Sequence, residues 1–184
     1  MIHSRDAAED TLEIVKEYIA LQQMRYDFII EMNIEDGSYL DQPTVRMLFQ
    51  PLVENAIRYG LGDDEKISIQ VFEDVARHLA VVTISDSGKG LNQEEIDEIN
   101  QPFDYDWGYW KNENRGIGLR YVKAMLESFY DGQTSLFVNS KKGFGTKITI
   151  LLPVREPEEK KEKDKEVTLE ENKVGQTDER IDCR

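Results

Sequence analysis

Apolar residues recur at helical spacing over 7–24, where Leu12, Val15, Ile19 and Met24 form a single stripe on an otherwise charged segment. The rhythm then changes. "DFIIEMNI" (27–34) predicts a strand, closed by turn residues at "EDGS". A helix is expected to open near "DQP" (41–43), with Asp41 as its cap and Pro43 in its first turn. Pro51 would then lie well inside that helix, where a proline costs about 3 kcal/mol, so a kink or restart is expected near 47–51. "KISIQVF" (66–72) and "LAVVTIS" (79–85) read as two strands of a hairpin. From 86 to 115 no period is sustained beyond a short helical pattern at 93–100, and irregular stretches of that kind commonly carry function or motion. A helix follows over 117–129, with Leu119, Val122, Leu126 and Phe129 on one face. Strands at 134–140 and 145–153 complete the pattern. It is an α+β arrangement, a mixed five-stranded sheet covered on one face by about three helices.

After Pro153 almost nothing could enter a core, so the charged segment 154–184 is expected to remain a disordered tail. The organisation expected is therefore an N-terminal connecting helix (1–24), one domain (25–153) and that tail. The formal charge of −14, with no basic stripe to offset it, argues against a nucleic-acid or anionic-membrane partner. A phosphate ligand would need local Lys or Arg, backbone amides or a metal ion. The sole cysteine, Cys183, allows no disulfide within the chain and suits a reducing compartment. No apolar run approaches the roughly 20 residues that span a bilayer, and "MIHSRDAAED" is no signal peptide.

Four short stretches carry candidate chemistry, and each has a plain alternative. In "LVENAIRYG" (52–60), Asn55 falls on the same helix face as Leu52 and Tyr59. A buried amide without partners costs about 1–3 kcal/mol, so Asn55 should bind another protein group or a ligand. Its carbonyl oxygen suits a hard cation, and Arg58 and Tyr59 beside it would suit a nucleotide. The plain reading pairs Glu54 with Arg58 on the surface and buries Tyr59. In "ISDSGKG" (84–90), Asp86 is delivered at a strand tip, where it could accept from an exocyclic amine while Gly88 and Gly90 admit a flat ring. An ordinary Asp-Ser-Gly turn explains it as well. In "NRGIGLRYV" (114–122), Gly116 and Gly118 could open a helix N-terminus to an anion, or simply enter the helix. It is neither a Walker loop nor a dinucleotide-binding fingerprint. In "GFGT" (143–146), Thr146 offers a hydroxyl contact at what could equally be a hairpin turn.

The order of the four decides between these readings. An Asn-bearing helix, Asp-x-Gly-x-Gly after a strand, a long irregular loop, Gly-x-Gly at a helix start and Gly-x-Gly-Thr before a strand resemble the N box and glycine boxes of the GHKL (Bergerat-fold) ATPases. "LFQPLVENAIRYG", "GIGLRYVKAML" and "GFGTKITILLP" look like the C-terminal ATP-binding domain of LytS/YesM-type sensor histidine kinases, and "LEIVKEYIALQQMRY" resembles the helix before their N box. The resemblance covers about 9–153. It implies a two-layer α/β sandwich with an irregular ATP lid at 91–115, closing where Trp107 and Trp110 could report it. It also implies that Asn55 binds a Mg²⁺ ion bridging the phosphates of ATP. Arg58 would assist the phosphates and Tyr59 would lie against the adenine. Asp86 would read the adenine amine in a pocket shaped by Gly88 and Gly90. Gly116, Gly118 and Leu119 would cradle phosphate, and Thr146 would finish the adenine site.

Two departures qualify that picture. Where hydrolysing members of the superfamily carry a general-base Glu, one turn before the Asn, this chain has Pro51. The acceptor-histidine segment of the kinases is also missing, since His3 and His78 lack its context and His78 should sit exposed in the hairpin connection. The resemblance thus implies the cytoplasmic catalytic part of a membrane-anchored kinase, without direct membrane contact of its own. Its partners would be the parent's histidine-bearing dimerisation helices and a downstream response regulator. The alternative is a nucleotide-sensing regulatory module that grips a partner without phosphotransfer. A serine-kinase anti-sigma factor of the same superfamily fits the N-box wording less well.

Overall fold

The computed structural model describes residues 5–46, 48–61, 66–100 and 117–155. The compact unit that carries the fold ends at Val154. The tail after Arg155, His3, Gly116, both tryptophans and the lid from 101 onward lie outside the described residues.

Five strands form one mixed sheet. They are β2 (Ile29–Ile34), β4 (Lys66–Asp74), β5 (Leu79–Asp86), β6 (Ser135–Lys141) and β7 (Gly145–Pro153). Their order is β2-β4-β5-β7-β6, with only the β2–β4 pair parallel. Strict alternation drives one face inward. Ile67, Ile69 and Val71 on β4, Ala80, Val82 and Ile84 on β5, and Ile148, Ile150 and Leu152 on β7 are all buried. Their polar neighbours, such as Ser68, Gln70, Lys147 and Thr149, occupy the alternate positions.

Helices α1 (Ala8–Gln23), α2 (Gln50–Tyr59) and α4 (Ile117–Phe129) cover the apolar face, as the helical stripes predict, except that Met24 falls just past the end of α1 and is exposed. Leu12, Val15 and Ile19 of α1, Leu52, Val53 and Ala56 of α2, and Leu119, Val122 and Leu126 of α4 join one core. The predicted hairpin is present too, with a 3-10 turn at Val75–Arg77 joining β4 to β5. His78 ends that turn in the left-handed region (φ 53) and is exposed, as expected.

One expectation fails. No helix opens at 41–43. Pro43–Val45 is instead a short strand, β3, paired antiparallel with β1 (Arg5–Ala7). Asp41 lies in the preceding turn and caps nothing there. The helix begins at Gln50, so Pro51 sits in its first turn, where a missing N–H breaks no intrahelical bond. The helix thus starts at Gln50, inside the 47–51 window where a kink or restart is expected, and among the described residues no helix precedes it there.

The same segment closes the end of α1. Ala7, its N-cap, provides no side-chain cap, and the free amides of Ala8 and Glu9 donate to the carbonyls of Gln42 and Leu40, both at 3.0 Å. A buried Tyr130 hydroxyl donates to Thr44 Oγ1 at 2.9 Å, tying the end of α4 to β3.

Candidate functional site

The predicted residues converge at one end of the sheet. Antiparallel pairing sets Asp86, at the tip of β5, opposite Thr146 near the start of β7. Asp86 Oδ1 accepts from the Thr146 amide at 3.0 Å and from the Gly88 amide at 3.1 Å. Both bonds fall on one oxygen, Oδ2 accepts none among the described residues, and Asp86 lines the cleft described next. Burial pushes the Asp86 carboxyl above the ordinary aspartate range, and the two backbone N–H groups partly oppose that shift. A half-desolvated carboxylate with one oxygen pinned and one unbonded is a directional acceptor.

The cleft has a volume of about 740 Å³, counting its open mouth. Asn55 and Tyr59 of α2, Asp86, Gly90, Leu119 of α4 and Thr146 all line it. Its floor is apolar, built from Leu52, Ala56, Ile84 and Ile148. A flat apolar slot with few polar groups at its ends is the ordinary form of a small-molecule site. Tyr59 is 43% exposed, so it forms a wall of the slot and is not core.

On the same cleft, Gly118 in the first turn of α4 faces the Asn55 carboxamide. A Cβ placed on Gly118 would stand 3.0 Å from Asn55 Nδ2, so glycine lets the helix start and the amide meet. Among the described residues the Asn55 carboxamide has no hydrogen-bond partner. Glu54, its neighbour, accepts from Gln50 Nε2 at 3.0 Å and makes no pair with Arg58.

Two predicted residues stand apart from the cleft wall. Arg58 is exposed, 6.0 Å from the Tyr59 ring, and its charge acts on the Tyr18 phenol of α1. Gly88 packs against the backbone of Gly60, at the end of α2, and so brings α2 up to the Asp86 turn.

Other contributors carried weaker signals. Lys89, inside the Asp-x-Gly-x-Gly stretch, holds its ammonium 4.8 Å from the Tyr59 ring centre. Gly145 has φ +90, and a Cβ there would run into the Asp86 carbonyl. Leu91, Glu95 and Ile99 also line the cleft, the latter two from α3 (Gln93–Asn100), the short helix that the pattern at 93–100 predicts. Its start is a reciprocal capping box that "NQEE" could have revealed, with Glu95 N donating to Asn92 Oδ1 and Asn92 N to Glu95 Oε2, both at 2.9 Å.

Among the described residues no group of three or more His, Cys, Asp or Glu could hold a metal. The donor set instead suits Mg²⁺, which keeps waters and takes one or two protein ligands together with substrate phosphates. Asn55 can supply one such oxygen.

Residues 40–156 match the family of histidine kinase-, DNA gyrase B- and HSP90-like ATPases. The chain belongs to that family.

Sequence relatives include sensor kinases. The sensor protein kinase HptS of Staphylococcus aureus is 29% identical over 146 residues, which is 79% of this chain and 27% of that kinase. The chain thus spans about a quarter of the length of the curated relatives it matches. In fold it is similar to the catalytic domain of histidine kinase ThkA, with a TM-score of 0.60 at 16% identity over 83% of this chain and 96% of that one. The mycobacterial sensor histidine kinase MprB gives a TM-score of 0.56 at 18% identity, over 85% and 100%. The chain is an ATPase-family domain with the two-layer α+β fold that the motif order implies, the fold of these histidine kinase catalytic domains. No helix among the described residues is long and apolar enough to cross a membrane.

Proposed function

We propose that this chain holds Mg-ATP in the cleft and donates the γ-phosphate to a histidine on separate dimerisation helices of a longer, membrane-anchored parent, on its cytoplasmic side. The observation that carries the reading is that Asp86 and Asn55 line one apolar cleft. A carboxylate pinned through one oxygen by two backbone amides shares that cleft with an unpartnered carboxamide beside a glycine helix start.

Asp86 Oδ2 would accept from the adenine amine. The ring would lie between the Tyr59 wall and the aliphatic floor, with Gly90 and Thr146 at its edge. Leu119 and Gly118 would offer backbone amides of the α4 start to phosphate oxygens, where the helix end favours negative charge. Gly116 would join them, and Arg58 would assist from outside the slot. A bound Mg²⁺, held by Asn55 and the phosphates, would supply neutralisation of phosphate charge. Transfer would form a bond from the acceptor imidazole nitrogen to phosphorus and break the bond from phosphorus to the β–γ bridging oxygen. ADP would leave with that electron pair, and the imidazole would lose a proton. Such a step depends on positioning and charge compensation. With Pro51 where hydrolysing relatives carry a base, water would be a poor acceptor.

The test combines this chain, a separate helical segment bearing the acceptor histidine, and γ-labelled ATP. Label is expected on the helix and not on the chain alone. Nucleotide binding without label on the helix would favour the regulatory module. Failure to bind nucleotide at all would overturn both.

A further inference from the structure

We infer that Ser140, on β6 and behind the cleft wall, is a positioning residue that fixes Thr146 as a hydrogen-bond acceptor and so sharpens selection for a 6-amino purine over a 6-oxo purine. The inference rests on the reading of the cleft as a purine nucleotide site.

A serine hydroxyl has one proton and two lone pairs. Ser140 Oγ has three neighbours. The Leu91 amide donates to it at 2.8 Å, the Gly145 carbonyl lies 2.8 Å away, and Thr146 Oγ1 lies 2.9 Å away. The carbonyl can only accept, so the Ser140 proton goes to Gly145. The Leu91 N–H takes one lone pair. The remaining contact then requires Thr146 to donate to the second lone pair. Turning the Ser140 proton toward Thr146 instead would leave two acceptors facing each other at 2.8 Å, which is unfavourable.

The consequence falls on Thr146, which lines the cleft while Ser140 does not. With its only proton held at the back, Thr146 Oγ1 presents lone pairs alone to the ligand. It stands opposite Asp86, whose free oxygen is also an acceptor. Two acceptors side by side match a primary amine with its two protons. They repel a carbonyl oxygen in the same place. Without Ser140 the Thr146 hydroxyl could rotate and donate, and half of that repulsion would disappear.

The experiment measures affinities for ATP and ITP by calorimetry on the full chain, as wild type, Ser140→Ala, Ser140→Thr, Thr146→Val and the double variant Ser140→Ala/Thr146→Val. Expected is a wild-type preference for ATP that falls about five- to tenfold in Ser140→Ala, the worth of one ordinary hydrogen bond. Ser140→Thr should restore it. In the Thr146→Val background, Ser140→Ala should change the ratio no further. A purely structural role would weaken both nucleotides alike and leave the ratio intact, and that result would overturn the inference. Should Ser140→Ala fail to fold, an unchanged ratio in Thr146→Val overturns it equally. If the wild type binds neither nucleotide, the cleft reading itself is wrong.

Discussion

Asp86 carries opposite loads in stability and in recognition. Its carboxyl is raised by burial, so the native chain holds this proton more tightly than the unfolded chain does. The sign follows. Above its native pKa the buried charge lowers stability, and the cost fades as pH falls toward the ordinary aspartate range. Asp86→Asn keeps an oxygen for the Gly88 and Thr146 amides and removes that charge. Thermal melts should show it as stable as the wild type or more so at pH 7, with the gap closing on acidification. Calorimetry should show ATP affinity lower by at least about tenfold, since a charged hydrogen bond is lost. Undiminished affinity would remove the adenine contact. Asn55 has a separate signature. Asn55→Ala should abolish the gain in ATP affinity that Mg²⁺ gives the wild type, leaving metal-free binding nearly unchanged, as read from titrations with Mg²⁺ and with a chelator. The residue types at both positions were legible in the sequence, because Asn in an apolar stripe and Asp at a strand tip are each costly unless used. Lys89 and Ser140 were not. A lysine in a turn and a serine on an edge strand are common, and only their neighbours make them notable.

Elements bring these residues together through close backbone approach. The first turn of α4 meets α2 at Gly118, where an added Cβ would press on the Asn55 amide, the end of a flexible side chain. Gly118→Ala should therefore leave the melting temperature unchanged or slightly raised, because alanine favours helix by about 1 kcal/mol. The Mg²⁺-dependent part of ATP binding should nevertheless drop several-fold, and a wild-type response to Mg²⁺ would detach α4 from the phosphate end. Most element boundaries followed from periodicity, and 117–129 matches the observed helix residue for residue. The β1–β3 ribbon escaped notice because three-residue strands are too short to show alternation. Pro51 marked the restart, but the helix expected before it is absent among the described residues. A proline is equally a breaker inside a helix and a good first-turn residue, and only the true helix start distinguishes the two.

At the scale of the whole molecule, the core lies between the sheet and the helices and is complete by Val154. A chain ending after Arg155 should thus melt at the same temperature as the full chain and bind ATP equally well. A lower melting point or weaker binding would assign the acidic tail a role in the fold or the site. The sequence by itself determined the parts. Periods of two and of about three and a half residues chose strands and helices, and the order of the four motifs chose the family. The tertiary structure alone decided how those parts cooperate. It capped α1 with the carbonyls of Leu40 and Gln42, put both backbone bonds of Asp86 on one oxygen, and set Ser140 against Thr146. The physical reason is range. Propensity and periodicity act between near neighbours, whereas all of these contacts but the Gly88–Asp86 bond join residues about 6 to 60 positions apart, and only packing fixes which of them meet.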